Sequence, residues 1–263
     1  MTLRRASRMI GHRVRGEDGD LGTVGDLYFD EVTWELRYVV VALQTGLDER
    51  RVLLAPPALE SPRWDSNILP VRLSREQVAQ APPVGSEQPI SRQYEIDLYD
   101  YYGWPAYWGQ MTPTGFGAAT PYRPLPAPAF VPGDLEPEAN ELEAVNPRLR
   151  SAREVLGYEV EAKDGDVGSL DDLIVDDERW AIFYMVVDTG SWLSEGKKVL
   201  LAPTWVTEIN WPAGELAVDL PREMIRESPP FDPLDLVERA YEEELYSHYR
   251  RRPYWKPETP ENP

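Results

Sequence analysis

Few side chains in this chain can do chemistry, and most of them occur in matched pairs. There are two histidines, His12 and His248, and no cysteine. Without cysteine there is no thiolate nucleophile, no thiolate metal site and no disulfide. An imidazole titrating near neutrality can act as a base, a proton shuttle or a metal ligand. When the chain is aligned with itself, however, His12 falls opposite Tyr158 and His248 opposite Tyr101. A phenol can stand in for the ring and polar tip of a histidine but not for its basicity, so packing or hydrogen bonding is expected at both positions. The carboxylates Asp18, Asp20, Asp26 and Asp30 are mirrored by Asp164, Asp166, Asp172 and Asp176. Of these, Asp18, Asp20, Asp164 and Asp166 flank Asp-Gly turns and are the candidates for a cation site. Their spacing lacks the dense oxygen ligation of a calcium loop, and Asp-Gly is ordinary turn chemistry. No nucleophile elbow, zinc-binding histidine pair, phosphate loop or dinucleotide fingerprint stands in a suitable context. The expectation is therefore no catalytic residue, no cofactor and no enzymatic activity.

The elements that must position these residues are written twice. Ile10–Val41 aligns with Leu156–Val187 with 13 identities in 32 positions, where chance gives roughly 2. With one residue added, Val52–Pro56 repeats as Val199–Pro203, and the match continues through Pro82-Pro83 and Pro229-Pro230 into the tails. Such a long period in only two copies points to tandem domains, not to a solenoid. Each repeat begins with an Asp-Gly turn and an alternating strand, Leu21–Asp30 or Val167–Asp176. A β-branched strand follows, Trp34–Leu43 or Trp180–Asp188, and then Arg51–Leu54 or Lys197–Leu201. Weaker strands lie at Ile68–Leu73, Trp205–Ile209 and Leu216–Leu220. Short strands at this spacing predict a small closed antiparallel barrel, because closure removes exposed edges. Ser74–Gln80 and Pro221–Glu227 read as single helical turns.

Each repeat ends in an amphipathic helix. Asp232-Pro233 offers an N-cap followed by a first-turn proline. From there Leu234, Val237, Tyr241, Leu245, His248 and Tyr249 recur at helical spacing, matched by Ile90, Tyr94, Leu98, Tyr101 and Tyr102. A Tyr-Trp pair closes each tail, at Trp108 and Trp255. Two placements are open for this stripe: against its own barrel, or under a partner or dimer mate. On the second, the interaction candidates are Tyr94, Leu98, Tyr101, Tyr102, Trp108, Tyr241, Leu245, His248, Tyr249 and Trp255. Residues 109–150, rich in Pro, Gly and Ala, read as a flexible linker with a brief helix over Pro137–Val145. The expected order is a basic extension (1–9), a barrel (10–84), a helix (85–108), the linker (109–150), a barrel (151–231), a helix (232–255) and a tail (256–263).

The formal charge is −19, distributed unequally: residues 10–85 carry −4 and residues 156–230 carry −10. An acidic surface repels phosphate, so direct nucleic-acid binding is not expected, whereas basic proteins are a natural partner class. No apolar run reaches the ~18–20 residues that span a bilayer. The start lacks the apolar core of a signal peptide, and a cytoplasmic location is expected.

The patterns G-x-x-V, D-G-x-x-G, D-h-h-h-D and V-L-h-h-P, where h is apolar, fit at Gly11/Val14, Asp18-Gly19/Gly22, Asp26–Asp30 and Val52–Pro56. They fit again at the corresponding second-repeat positions. In these residues the chain resembles the PRC-barrel domain family. That family is named for the cytoplasmic domain of the photosynthetic reaction-centre H subunit and includes the C-terminal domain of the ribosome maturation factor RimM. The resemblance covers about 75 residues per repeat and implies two small β-barrels that dock on other proteins. It supplies no catalytic residues, and a stress-related role is the expectation it carries for stand-alone bacterial members. The resulting reading is a non-enzymatic adaptor of two PRC-type barrels, each followed by an aromatic helix, with a homodimer compatible. Its alternatives are a cation- or ligand-sensing barrel and a structural pseudo-dimer.

Overall fold

A computed structural model describes residues 3–45, 48–84, 90–108, 148–190, 197–232 and 236–256. The protein is mainly β and divides into two units. A leading unit contains residues 8–154 and 179–181; a trailing unit contains 1–7, 155–178 and 182–263.

In the leading unit the strands are β2 (Arg13–Gly16), β3 (Gly19–Asp30), β4 (Leu36–Thr45), β5 (Asp48–Leu54) and β6 (Ile68–Pro70). They form a sheet in the order β5-β4-β3-β2-β6. The trailing unit has β8 (Glu159–Ala162), β9 (Gly165–Asp176), β10 (Ala181–Asp188), β11 (Lys198–Leu201), β12 (Val206–Asn210) and β13 (Glu215–Val218). Its order is β11-β10-β9-β8-β13-β12. The strands anticipated from alternation are present in both. The core is the β-branched run, where Val39, Val41, Val52 and Leu53 in one unit and Val186, Val187, Val199 and Leu200 in the other are fully buried.

The Asp-Gly motif has a mechanical explanation. Asp18 Oδ1 accepts a hydrogen bond from Arg75 N at 2.8 Å, and Asp164 Oδ1 from Arg222 N at 2.7 Å. Each carboxylate thus caps a short helix, α2 (Arg75–Gln80) or, later in the chain, α4 (Arg222–Arg226). Gly19 turns the chain at φ 139°. At Gly22 a Cβ would lie 2.0 Å from the Ala42 carbonyl oxygen, and at Gly168 2.0 Å from that of Asp188. Only glycine lets the two strands approach so closely.

Three expectations of the fold are corrected. First, hydrogen bonding among the described residues does not close either sheet into a barrel. The outer edge is instead covered by the segment after the Pro-Pro pair: Val84 N donates to Arg51 O at 2.9 Å, and Phe231 N to Lys198 O at 2.8 Å. A covered edge no longer needs closure. Second, the sheets are not wholly antiparallel, since β2 runs parallel to β6 and β8 to β13. The long excursion between those strands lets the chain return in the same direction.

Third, the segments before the repeats are strands. Residues 1–9, expected as an extension, contain β1 (Leu3–Arg5) and α1 (Ala6–Met9), and residues assigned to the linker contain β7 (Leu149–Ser151). β1 pairs with β9 in the trailing unit, with Leu3 opposite Asp176. β7 pairs with β3 in the leading unit, with Leu149 opposite Asp30. Each segment therefore joins the sheet of the repeat it does not precede. Two aspartates hold them, Asp26 half-buried and Asp172 buried. Asp26 Oδ2 accepts from Ser151 Oγ at 2.5 Å and Oδ1 from Arg153 N at 3.3 Å. Asp172 accepts from the Ser7 hydroxyl and, at 3.1 Å, from Ser7 N, with Arg5 Nη1 3.7 Å away. Burial raises both carboxyls above the usual range, and these hydrogen bonds oppose the rise. The expected helix over Pro137–Val145 lies outside the described residues.

Candidate interaction face on the tail helices

The tail helices are α3 (Arg92–Tyr102) and α5 (Arg239–His248). Ser91 caps α3 by accepting from Tyr94 N at 3.1 Å, and Gly103 ends it in the left-handed region at φ 67°. The expected start of α5 at Asp232 is corrected to Arg239. Among the described residues before it, 236–238 are not helical, and Glu238, extended at φ −85° and ψ 156°, is the N-cap.

Each helix is fastened to its own unit by a buried glutamate. Glu95 is fully buried, and its Oε1 accepts from the Tyr38 hydroxyl at 2.7 Å and the Tyr107 hydroxyl at 2.7 Å. Its Oε2 lies 2.8 Å from Arg92 Nη1, and the same guanidinium sits 4.8 Å from the Trp108 ring centre. In the trailing unit Glu242 Oε1 accepts from Tyr184 at 2.6 Å and Tyr254 at 3.0 Å, and Oε2 pairs with Arg239 Nη1 at 3.0 Å. Arg239 lies 3.9 Å over Trp255. A buried carboxylate is costly unless charged and neutral donors surround it, and here both oxygens are engaged. Burial pushes the Glu242 carboxyl up, against which the two tyrosines and Arg239 act. Burial also drives the Tyr38 and Tyr184 hydroxyls well above the ordinary phenol value, so both remain donors. With its acceptors occupied, the glutamate is a clamp between helix and sheet, not a base.

The aromatic stripe faces inward around this clamp. Leu98 and Leu245 are completely buried and Tyr249 nearly so, against Trp205 at 4.7 Å. These three belong to the core, which corrects their assignment as partner contacts: apolar area is covered by the unit itself. Tyr94 and Tyr241 are half-buried, donating to Pro82 O at 2.8 Å and Pro229 O at 3.1 Å. His248 Nε2 lies 2.6 Å from Met224 O, and its counterpart Tyr101 donates to Gln77 O at 2.7 Å. The carbonyl can only accept, so His248 carries its proton on Nε2. Tyr102 stacks on Trp104 at 4.2 Å; Trp108 packs 4.9 Å from Tyr99, and Trp255 5.2 Å from Tyr246. Of the ten candidates, Tyr101 is the most open, at 40% exposure. The surface that α3 and α5 turn outward is acidic instead: Asp97, Asp100, Glu243 and Glu244 are exposed.

Among the described residues no three His, Asp or Glu side chains are grouped to hold a metal ion. Asp18 and Asp164 serve as helix caps, Asp20 lies 3.7 Å from Arg13, and Asp166 is exposed. His12 is buried edge-on to Trp64 at 5.2 Å, as Tyr158 packs on Trp211 at 6.1 Å; burial, then Arg8, lowers the imidazole pKa. Glu95 and Glu242 were missed by sequence reasoning although the repeat aligns them, since a glutamate among helical carboxylates reads as solvated.

The model of the PRC-barrel domain matches residues 1–58, and the chain carries a PRC-barrel domain over that stretch. No curated protein matches the chain. No helix among the described residues is long and apolar enough to cross a membrane.

Proposed function

We propose that the chain is a non-enzymatic cytoplasmic interaction protein built from a duplicated PRC-barrel domain, whose tail helices receive basic proteins. The observation that supports this reading is the orientation of the helices. The Glu95 and Glu242 clamps fix α3 and α5 on their sheets, leaving Asp97, Asp100, Glu243 and Glu244 outward on rigid supports. A fixed set of like charges selects partners of opposite sign and raises their rate of encounter, and both effects weaken with salt. Two such faces in one chain permit bivalent binding, with avidity above that of either alone.

The test compares the wild-type chain with a variant carrying Asp97→Lys, Asp100→Lys, Glu243→Lys and Glu244→Lys. These exposed positions are expected to change stability by no more than about 0.5 kcal/mol each. Binding of a lysine-rich peptide and of partners identified by in-cell cross-linking is then measured at low and moderate salt. Salt-sensitive binding that the variant loses supports the reading. Partners retained in full by the folded variant would remove it.

A further inference from the structure

A cleft of about 510 Å³ in the leading unit, between β2–β4 and α2, has a lining unlike the rest of this acidic chain. Its floor is apolar, from the buried Leu43 and Val78, with Ala79 beside them. At its rim stand two guanidinium groups, Arg13 and Arg75, and one carboxylate, Asp20. Arg13 approaches Asp20 only to 3.7 Å, with both side chains about half exposed (56% and 49%), so that pair is weak and leaves most of its donors unused. Among the described residues no hydrogen bond or ion pair engages the Arg75 side chain; its backbone N–H alone is used, by Asp18. A guanidinium without a carboxylate is unexpected in a chain with 46 acidic and 27 basic residues.

The trailing repeat shows what the same position looks like without this character. Glu159 replaces Arg13, Thr189 replaces Leu43 and Arg226 replaces Ala79. The first change reverses the charge of the rim, and the other two place polar groups on the apolar wall. Pockets that take small molecules combine an apolar lining with a few placed polar groups in a volume of roughly 300–1,000 Å³, and guanidinium forks match carboxylate geometry.

We propose that this cleft binds a small amphipathic carboxylate, its head held by Arg13 and Arg75 and its apolar body laid on Leu43 and Val78. The trailing unit, where Glu159, Thr189 and Arg226 stand in place of Arg13, Leu43 and Ala79, does not bind it.

Titration calorimetry of the full chain with octanoate tests this, with acetate as the head alone and octylammonium as the same body with opposite charge. The expected result is saturable binding of one octanoate, at least 10-fold weaker binding of acetate and octylammonium, and amide shifts centred on Thr23 and Leu43. In an Arg13→Glu/Ala79→Arg variant the octanoate affinity should fall at least 10-fold. Both substitutions introduce the residue that the trailing repeat carries, and thermal melting checks the fold. Absent saturation, equal binding of octylammonium or acetate, or unchanged affinity in the folded variant would each overturn the proposal. If the variant does not fold, the shift map of the wild-type chain decides: shifts away from the cleft also overturn it.

Discussion

The two units agree in their interiors and differ at their rims. Glu95 with Tyr38, Tyr107 and Arg92 has the same partners and nearly the same distances as Glu242 with Tyr184, Tyr254 and Arg239. The tail helix is also pinned to the short helix in both, by Tyr101 on Gln77 O and by His248 on Met224 O. Along β2 and β8, by contrast, Arg13 and Arg15 face Glu159 and Glu161 in the alignment. The trailing unit also has its own cluster, in which Arg251 and then Lys163 hold Asp219 and bring its carboxyl down to about 2. A buried polar network tolerates no loss of a member, because the groups left behind stay buried and unpaired. A rim charge in water has no such constraint. The comparison therefore separates what holds the helix in place from what each unit can bind.

The largest effect should come from the helix core. Leu98→Ser and Leu245→Ser each remove a fully buried side chain, and each is expected to cost about 3–5 kcal/mol in its own unit, read by denaturant unfolding. Were Leu98 or Leu245 a partner contact only, stability would not change. Next come the clamps: Tyr38→Phe and Tyr184→Phe each withdraw one donor from a buried carboxylate and should cost about 1–3 kcal/mol, by similar amounts in the two units. Unequal costs would break the equivalence drawn between them.

The smallest effect concerns pH. Burial raises the folded-state pKa of Asp26, Asp172 and Glu242 above their ordinary values. A raised carboxyl binds its proton more readily in the folded state, so its contribution to stability is lost as pH rises through the folded pKa and is complete below the unfolded one. Melting temperature should therefore increase as pH falls from neutral toward the ordinary carboxylate range, and Asp26→Asn with Asp172→Asn should flatten the slope. The −19 charge acts in the same direction, and the isosteric pair isolates the two aspartates.

Much of this fold was legible because strands announce themselves by alternation and the repeat supplies a second reading of each. Leu21–Asp30 and Val167–Asp176 were recognisable for that reason, and the inward stripe of α3 for its spacing. Pairing across long distances was not. Leu3-Arg4 and Ala6 match Leu149-Arg150 and Ala152, so the repeat could have been extended upstream, yet three-residue strands carry too little pattern to declare a partner. The parallel return of β6 and β13 is likewise set by tertiary packing. Acidic residues concealed the rest. Glu95 and Glu242 look like their solvated neighbours until the tyrosines of distant strands surround them, and the cleft at Arg75 is distinguished by a guanidinium that forms no ion pair among the described residues.

The central claim is that each unit is completed by the segment preceding the other repeat. Hydrogen exchange of a chain lacking residues 1–7 tests it most directly. The account predicts lost protection along Ile174–Asp176 of β9, where Leu3–Arg5 pairs, while Tyr28–Asp30 of β3 stays protected by Leu149–Ser151. Protection lost at β3, or unchanged at β9, would contradict it.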